Sequence, residues 1–325
     1  MTDLVFVSSE LPGDALEVLR ESFEVVVGDG VASDAFAAVA PRVRGIVALL
    51  TDRIDDALLA RCPDLRVVAN VAVGVDNIDL AACAARGVVV TNTPDVLTEA
   101  TADLAFGLLL SAARRIAEGD RVIRAGGWTG WTPTFMLGQR AFGMKLGLVG
   151  FGRIGKAVAR RARGFGMHVA YTQRNREAEP LERVLGATWV ESLDDLVATS
   201  DAISIHCPLT PGTRHLFDAP RLARMRPGSI LVNVSRGPIV DEAALAAALS
   251  SGPLAGAGLD VFEDEPRVHP ALLACPNAVM TPHVGSADRH TREAMASTAA
   301  ANVVRVLAGE APLTPVQKAV EKPAP

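Results

Sequence analysis

The chain has 325 residues, enough for two domains of ordinary size, and 49% of them are apolar, which excludes a disordered protein. A formal net charge of −5 gives no general attraction to nucleic acid or to an anionic membrane. Aromatic residues make up only 4%, so the core must be built of Val, Leu, Ala and Ile. The four cysteines, Cys62, Cys83, Cys207 and Cys275, are scattered without a C-x-x-C pair and read as reduced thiols of a cytoplasmic protein. Met1-Thr2-Asp3 begins no basic or long apolar segment, so no signal peptide is expected. The longest helical apolar stretch, near Leu104 to Ala113, is too short to span a bilayer.

Residues 4 to 91 repeat a βα rhythm. Strands are expected at Leu4 to Val7, Phe23 to Val27, Gly45 to Leu50, Arg66 to Asn70 and Val88 to Thr91, with a helix from Gly13 to Ser22. Their near-continuous apolar character predicts a parallel sheet covered on both faces. The turn Ala72-Val73-Gly74-Val75-Asp76-Asn77 follows one strand, at the edge where such sheets bind ligands, and Gly74 would let backbone N–H groups face a small anion. A long helix is expected from Thr98 to about Gly119, with Thr98 and Glu99 placed as cap and acidic first turn. The loop Gly126-Gly127-Trp128-Thr129-Gly130-Trp131-Thr132-Pro133 reads equally as a loop pinned by aromatic anchors or as an inter-subunit arm.

Lys145 to Gln173 is the most informative stretch. The strand Lys145–Val149 leads into Gly150-Phe151-Gly152-Arg153-Ile154-Gly155, then a helical segment from Lys156 to Gly166, then the strand His168–Thr172. In this strand–turn–helix–strand order a G-x-G-x-x-G marks a dinucleotide site. Gly150 permits the tight turn, Gly152 lets the backbone approach a pyrophosphate, and Gly155 lets helix and strand pack closely. The helix N-terminus offers N–H groups to the phosphates. The cluster Arg153, Lys156, Arg160, Arg161 and Arg163 reads as one solvated helix face. An NAD-preferring site usually carries an Asp or Glu at the end of the second strand, but here the positions read Thr172-Gln173-Arg174-Asn175-Arg176, with no carboxylate at the tip. A guanidinium at Arg174 points to the 2′-phosphate of NADP(H), unless Arg174 and Arg176 simply belong to a solvated loop.

Further strands are expected at Thr188 to Val190, Ala202 to His206, Ile230 to Val234, Gly256 to Val261 and Ala278 to Thr281, with helices between, predicting a doubly wound sheet with right-handed crossovers. A second long helix runs from Asp288 to about Gly309 and returns the chain to the first domain. The tail Pro312 to Pro325 reads as poorly ordered. Just past three strand ends stand Arg236, Glu265 and His283, a set that would converge on one crevice. Arg236 can fork onto a carboxylate or polarise a carbonyl, Glu265 can hold the imidazole and raise its pKa, and His283 can carry the proton. Asp260 reads equally as an orienter of the nicotinamide ring or as an ion-pair partner of a neighbouring Arg.

In the pattern of Arg236, Glu265 and His283 the chain resembles the D-isomer-specific 2-hydroxyacid dehydrogenases, over essentially its whole length up to the tail. Within that family it is most similar to the NADP-dependent glyoxylate/hydroxypyruvate reductases. The supporting stretches are Ala72 to Asn77, Gly127 to Pro133, Tyr171-Thr172-Gln173-Arg174 and Pro282-His283-Val284-Gly285-Ser286-Ala287. The resemblance implies an α/β protein of two Rossmann-like doubly wound domains joined by long helices. One is a flavodoxin-like substrate domain at 1–98 plus 290–325, the other an NAD(P)-binding domain at 99–289. It implies a homodimer with its active site in the interdomain cleft, and hydride transfer to C2 of a short 2-oxo acid. NADP(H) is the preferred cofactor, with NAD(H) also admissible. No metal, nucleic acid or membrane is involved. The substrate would meet Val73, Gly74, Arg236, His283 and the Trp131 arm of the partner subunit. The cofactor would meet Thr101, Gly150, Gly152, Arg153, Ile154, Gly155, Gln173, Arg174, Cys207, Pro208, Thr213, Val234, Asp260 and Gly285. Phosphite dehydrogenases share much of the pattern but carry a lysine at the position of Val73, which argues against that activity. The same fold also serves dehydrogenase-like corepressors, which would be nucleotide-sensing scaffolds without turnover. Other members acting on D-glycerate, D-lactate or phosphoglycerate are the remaining alternatives.

Overall fold

The computed structural model describes residues 2–316. The chain divides into two compact units, Met1–Leu97 with Ser286–Pro325, and Thr98–Gly285. Among the described residues no helix is long and apolar enough to cross a membrane.

The first unit is built on β1 (Leu4–Val7), β2 (Glu24–Val27), β3 (Val43–Ala48), β4 (Val67–Asn70) and β5 (Val89–Thr91), all parallel in the order β2-β1-β3-β4-β5. β1 and β4 are buried at every residue, the pattern of strands covered on both faces. On one side Phe6 and Phe36 meet edge to face at 4.9 Å among Ile46, Ile54 and Leu59. The Arg289–Leu307 helix packs on β3 and β4, entering through Asp288, whose carboxylate accepts from Thr291 N at 2.8 Å.

The expectation of a poorly ordered tail is overturned for residues 312–316. Asn302, fully buried in the last helix, accepts from Leu313 N and Thr314 N and donates to Thr314 Oγ1 at 2.8 Å. Val316 N then donates to Val90 O at 2.9 Å, tying the segment to β5. A polar side chain in a core must be hydrogen-bonded, and here the tail supplies the partners. Residues 317–325 lie outside the described residues.

The second unit carries β6 (Lys145–Val149), β7 (His168–Thr172), β8 (Ala187–Trp189), β9 (Ala202–Ile205), β10 (Ser229–Asn233), β11 (Leu254–Leu259) and β12 (Ala278–Met280). All pair in parallel in the order β12-β11-β10-β9-β6-β7-β8. The order reverses between β6 and β9, which creates a crevice at their carboxyl ends. β10 and β11 end one or two residues earlier than their apolar runs, because Asp260 and the loop after Asn233 turn inward to serve the neighbouring segments. The Thr98–Arg114 helix lies against β10 and β11 and against the Arg153–Gly164 helix. Its approach to β11 needs small residues there, since a Cβ on Gly258 would stand 2.8 Å from Leu108 Cβ.

Two expectations are corrected in this unit. The long helix from Thr98 does not reach Gly119: it ends at Arg114, Arg115 turns left-handed at φ 55°, and a second helix runs Ile116–Arg124. Arg115 is held there by a two-pronged pair with Glu118 at 2.8 and 2.7 Å, and Gln139 N takes the Ala113 carbonyl at 2.7 Å. The arginines of the Arg153–Gly164 helix are also not a simple solvated face. Arg160 and Arg161 pair with Glu99, and Arg161 also reaches Asp103 at 2.6 Å, so the two helices are cross-linked by charge. The helix begins at Arg153 rather than Lys156, because the glycine turn already supplies its N-terminal boundary at Gly152.

Candidate active site

The glycine turn leaves β6 with Gly150 at φ +92°, a conformation that L side chains rarely adopt. A Cβ there would stand 2.7 Å from Cys207 N, so the exits of β6 and β9 touch backbone to backbone. A Cβ on Gly155 would stand 2.5 Å from Gly150 O, which is the close helix–strand packing the fingerprint requires. Beside Gly152 nothing lies within 4 Å of a Cβ, and no side chain caps the 12-residue helix that begins there. Exposed Arg153 and half-buried Ile154 complete the turn. An open surface in front of uncapped helix N–H groups fits a pyrophosphate.

At the tip of β7, Gln173 folds back over this turn and accepts from Phe151 N at 3.2 Å. Arg174 is exposed and has no ion pair among the described residues. Arg176 is spent on Glu182 by two bonds of 3.0 and 2.7 Å, and so is not a free solvated group. The tip is also not devoid of a carboxylate. Glu177 reaches it from four residues on, accepting from Gln173 Nε2 at 3.1 Å and pairing with Lys156 Nζ at 2.8 Å. The hydrogen bond from Lys156 holds the Glu177 carboxyl below the usual range against the opposing effect of burial.

Across the crevice, the segment after β9 is tied to itself and to β10. Thr213 Oγ1 donates to Pro208 O at 2.7 Å, and Ser235 Oγ donates to Cys207 O at 2.5 Å. Burial pushes the Cys207 thiol up to about 11, which keeps it a thiol rather than a thiolate nucleophile. Val234 is buried at the start of the loop after β10. Asn233 shapes that loop: its amide donates to Arg236 O at 2.9 Å and accepts from Ser235 N at 3.1 Å.

The three polar groups past the strand ends are linked in geometry. His283 Nδ1 and Glu265 Oε2 are 2.8 Å apart, each side chain about a quarter exposed at 25% and 28%. Among the described residues His283 Nε2 has no partner. Burial pushes the Glu265 carboxyl up, but the His283 bond, the Phe262 N–H at 3.0 Å and the Arg236 charge outweigh it and hold the group below its ordinary range. His283 sits at φ 52°, in the left-handed region that costs a side-chain-bearing residue free energy. Asp260 imposes it. Buried to 1% exposure, it accepts from Thr281 Oγ1 at 2.6 Å, Val284 N at 2.8 Å and Gly285 N at 2.8 Å, while its carbonyl takes His283 N at 2.9 Å. Asp260 therefore forms no ion pair with an arginine; it clamps the histidine loop on both sides of His283. Thr101, also buried, packs 3.5 Å from where a Gly285 Cβ would be.

A brace outside the expected set holds the Glu265 loop. Glu263 N donates to Glu242 Oε1 at 2.6 Å, Glu242 N donates to Glu263 Oε2 at 3.3 Å, and Glu242 Oε2 takes His269 N at 2.9 Å. Glu263 Oε1 also pairs with His215 Nε2 at 2.5 Å. Gly237, directly after Arg236, lies so close to this loop that a Cβ would stand 1.8 Å from Phe262 C. The position of Glu263 two residues before Glu265 was the only signal in the sequence, and it does not distinguish a brace from a solvated acid.

In the first unit, Val73 and Gly74 lie just past β4. Their carbonyls are tied down by the side chains of Asn92 at 2.8 Å and Asn70 at 2.9 Å, and Asn70 is in turn locked to Asn77. Their amide N–H groups donate to no acceptor among the described residues, which suits them to an anion. Trp131 is 80% exposed and Trp128 56%, so neither anchors its loop within the chain.

The chain's similarities agree with this geometry. Residues 106–285 match the family model described as the D-isomer specific 2-hydroxyacid dehydrogenase, NAD binding domain. A glyoxylate reductase of Thermococcus onnurineus (strain NA1) is 44% identical over 327 residues, covering 98% of this chain and 97% of that one. A glyoxylate reductase of Korarchaeum cryptofilum (strain OPF8) is 46% identical over 331 residues, covering 100% and 99%. Among solved structures, an NADPH-dependent glyoxylate/hydroxypyruvate reductase from Sinorhizobium meliloti, in complex with NADP and malonate, superposes with a TM-score of 0.87 at 40% identity, covering 97% of both chains.

Proposed function

The chain belongs to the D-isomer-specific 2-hydroxyacid dehydrogenase family, and from that premise we propose that it reduces short 2-oxo acids of the glyoxylate and hydroxypyruvate kind to D-2-hydroxy acids, with NADPH as the preferred cofactor. The observation that carries the reading is the His283–Glu265 pair at 2.8 Å on the same unit as an open, uncapped glycine turn. The bound nicotinamide supplies the hydride. Glu265 holds Nδ1 of His283 and fixes the tautomer and ring orientation, leaving Nε2 to give its proton to the substrate carbonyl oxygen. Arg236 polarises that oxygen and steadies the substrate carboxylate, which the free N–H groups of Val73 and Gly74 also receive.

The pyrophosphate is assigned to Gly150, Gly152, Arg153, Ile154 and Gly155, and the adenosine ribose to Gln173 and Arg174. Cys207, Pro208, Thr213 and Val234 flank the dinucleotide on the far side of the crevice. Thr101, Asp260 and Gly285 stand on the nicotinamide side, where Asp260 acts by holding the histidine loop. The unit Thr98–Gly285 is thus read as the cofactor domain and the other as the substrate domain. The protein is further read as a cytoplasmic homodimer in which Trp131 meets the partner's substrate.

The test is a screen of small 2-oxo acids with NADPH and with NADH, following absorbance of the reduced nicotinamide. Glyoxylate and hydroxypyruvate should be turned over, faster with NADPH. Protein that binds the nucleotides but reduces no 2-oxo acid would sink the enzymatic reading and leave a nucleotide-binding scaffold.

A further inference from the structure

The fingerprint's spacing points to Gln173, where an acid is missing, but the structure shows an acid brought to the same place by the fold of the loop. Three contacts fix the loop between Gln173 and Glu182. Arg176 forks onto Glu182, Tyr171 Oη donates to Glu182 Oε1 at 2.7 Å, and Glu177 N donates to Tyr171 Oη at 2.9 Å. With its backbone fixed this way, the Glu177 side chain turns back to Gln173 and Lys156, and only 24% of it is exposed. Gln173 is itself bonded to Phe151 of the glycine turn, and Lys156 lies in the first turns of the Arg153–Gly164 helix. Glu177 therefore belongs to the corner between the glycine turn and the tip of β7, where the adenosine ribose of a dinucleotide is recognised.

The charges at this corner decide what it favours. Three cations, Lys156, Arg174 and Arg176, stand against two carboxylates, Glu177 and Glu182. Arg176 is occupied by Glu182 and Lys156 by Glu177, which leaves Arg174 as the cation of this corner without a paired acid among the described residues. A 2′-phosphate carries close to two negative charges, and a carboxylate in the same corner repels it while offering an acceptor to an unphosphorylated 2′-hydroxyl.

Resting on the cofactor assignment of the proposed function, we propose that Glu177 is a specificity-determining residue of the ribose subsite: it restores, from four residues beyond the usual position, the carboxylate that Gln173 lacks, and it narrows the preference for NADPH over NADH that Arg174 creates. Lys156 and Gln173 are its positioning partners. Removing the charge would release Lys156 as a second cation for the phosphate.

Fluorescence titration of NADPH and NADH on the whole protein tests this, comparing the wild type with Glu177→Gln and Glu177→Lys. The NADPH-to-NADH affinity ratio should rise on the order of tenfold in Glu177→Gln, the effect of removing one charge near a dianion in a half-wet site. It should rise further in Glu177→Lys. A ratio that stays constant or falls in both variants, while both nucleotides still bind, would overturn the role of Glu177 alone. Wild-type protein that binds neither nucleotide would overturn the cofactor assignment, and this inference with it.

Discussion

His283 occupies a strained backbone conformation because Asp260 accepts the N–H groups of the two residues after it. Strain held by a buried carboxylate fixes the side chain, so the ring that Glu265 grips has little freedom left. His283→Ala should leave NADPH affinity nearly intact and lower kcat by roughly 10²–10⁴-fold, the usual cost of losing a positioned proton donor. Steady-state kinetics with nucleotide titration checks this; near-normal turnover would take His283 out of the mechanism. Arg174 acts on a different step. Arg174→Ala should weaken NADPH by roughly 10–150-fold, from about 1.5–3 kcal/mol for a charged hydrogen bond, while barely touching NADH. Equal losses for both cofactors would remove Arg174 from the ribose subsite.

His206, at the exit of β9, gives a pH-dependent prediction. Its Nδ1 is enclosed without a partner and Nε2 faces Ser204 Oγ at 2.9 Å. Burial pushes the imidazole down from 6.5 to about 4, so across that window the unfolded chain takes a proton that the folded protein refuses. Stability therefore rises with pH through the window and is lost as pH falls through it, by up to about 3 kcal/mol. Urea midpoints measured above and inside the window should converge when His206→Asn removes the titrating group. An unchanged slope would place the loss elsewhere.

At the scale of elements, the loops after β10 and β11 behave as one piece. Gly237 presses its α-carbon onto the Phe262–Glu263 peptide, and Glu242 and Glu263 exchange backbone hydrogen bonds beside it. Backbone cannot move aside as a flexible side chain can, so Gly237→Ala must push the two loops apart. Overpacking of this kind costs roughly 1–3 kcal/mol, which for a chain of this size lowers Tm by several degrees. Activity should fall further than the melt implies, since Arg236 and Glu265 sit on the two loops being separated. A melting curve and a kcat at one temperature check both parts; an unchanged Tm would show that the loops can yield.

On the scale of the whole molecule, the region from Ile116 to Phe142 is the conspicuous surface. The Ile116–Arg124 helix has no buried residue, and Ile116, Ile123, Trp131, Leu137 and Phe142 are all more than half exposed, from 57% to 80%. Apolar groups of this size gathered in one segment mark an interaction surface. Sedimentation at micromolar concentration should give a species of twice the chain mass, and Trp131→Ala should change activity toward larger 2-oxo acids more than cofactor affinity. A clean monomer would contradict the assignment of this surface to a second copy.

What the sequence determined by itself is the part governed by short-range rules. β1, β6 and β7 begin and end where the apolar runs do, because a strand covered on both faces must be apolar throughout and its turn residues cannot continue it. The glycine turn and the placement of Arg236, Glu265 and His283 past strand ends come from the same local patterns. Only the tertiary structure decided the break at Arg115, which depends on Gln139 reaching the Ala113 carbonyl, and the docking of residues 312–316, which depends on the buried amide of Asn302. It also decided that Arg161 pairs with Glu99 and Asp103, and that Glu177 rather than Gln173 brings a carboxylate to the β7 tip. A charged or polar side chain on a loop or helix face reads alike in sequence whether water or a distant partner satisfies it, and folding alone chooses the partner.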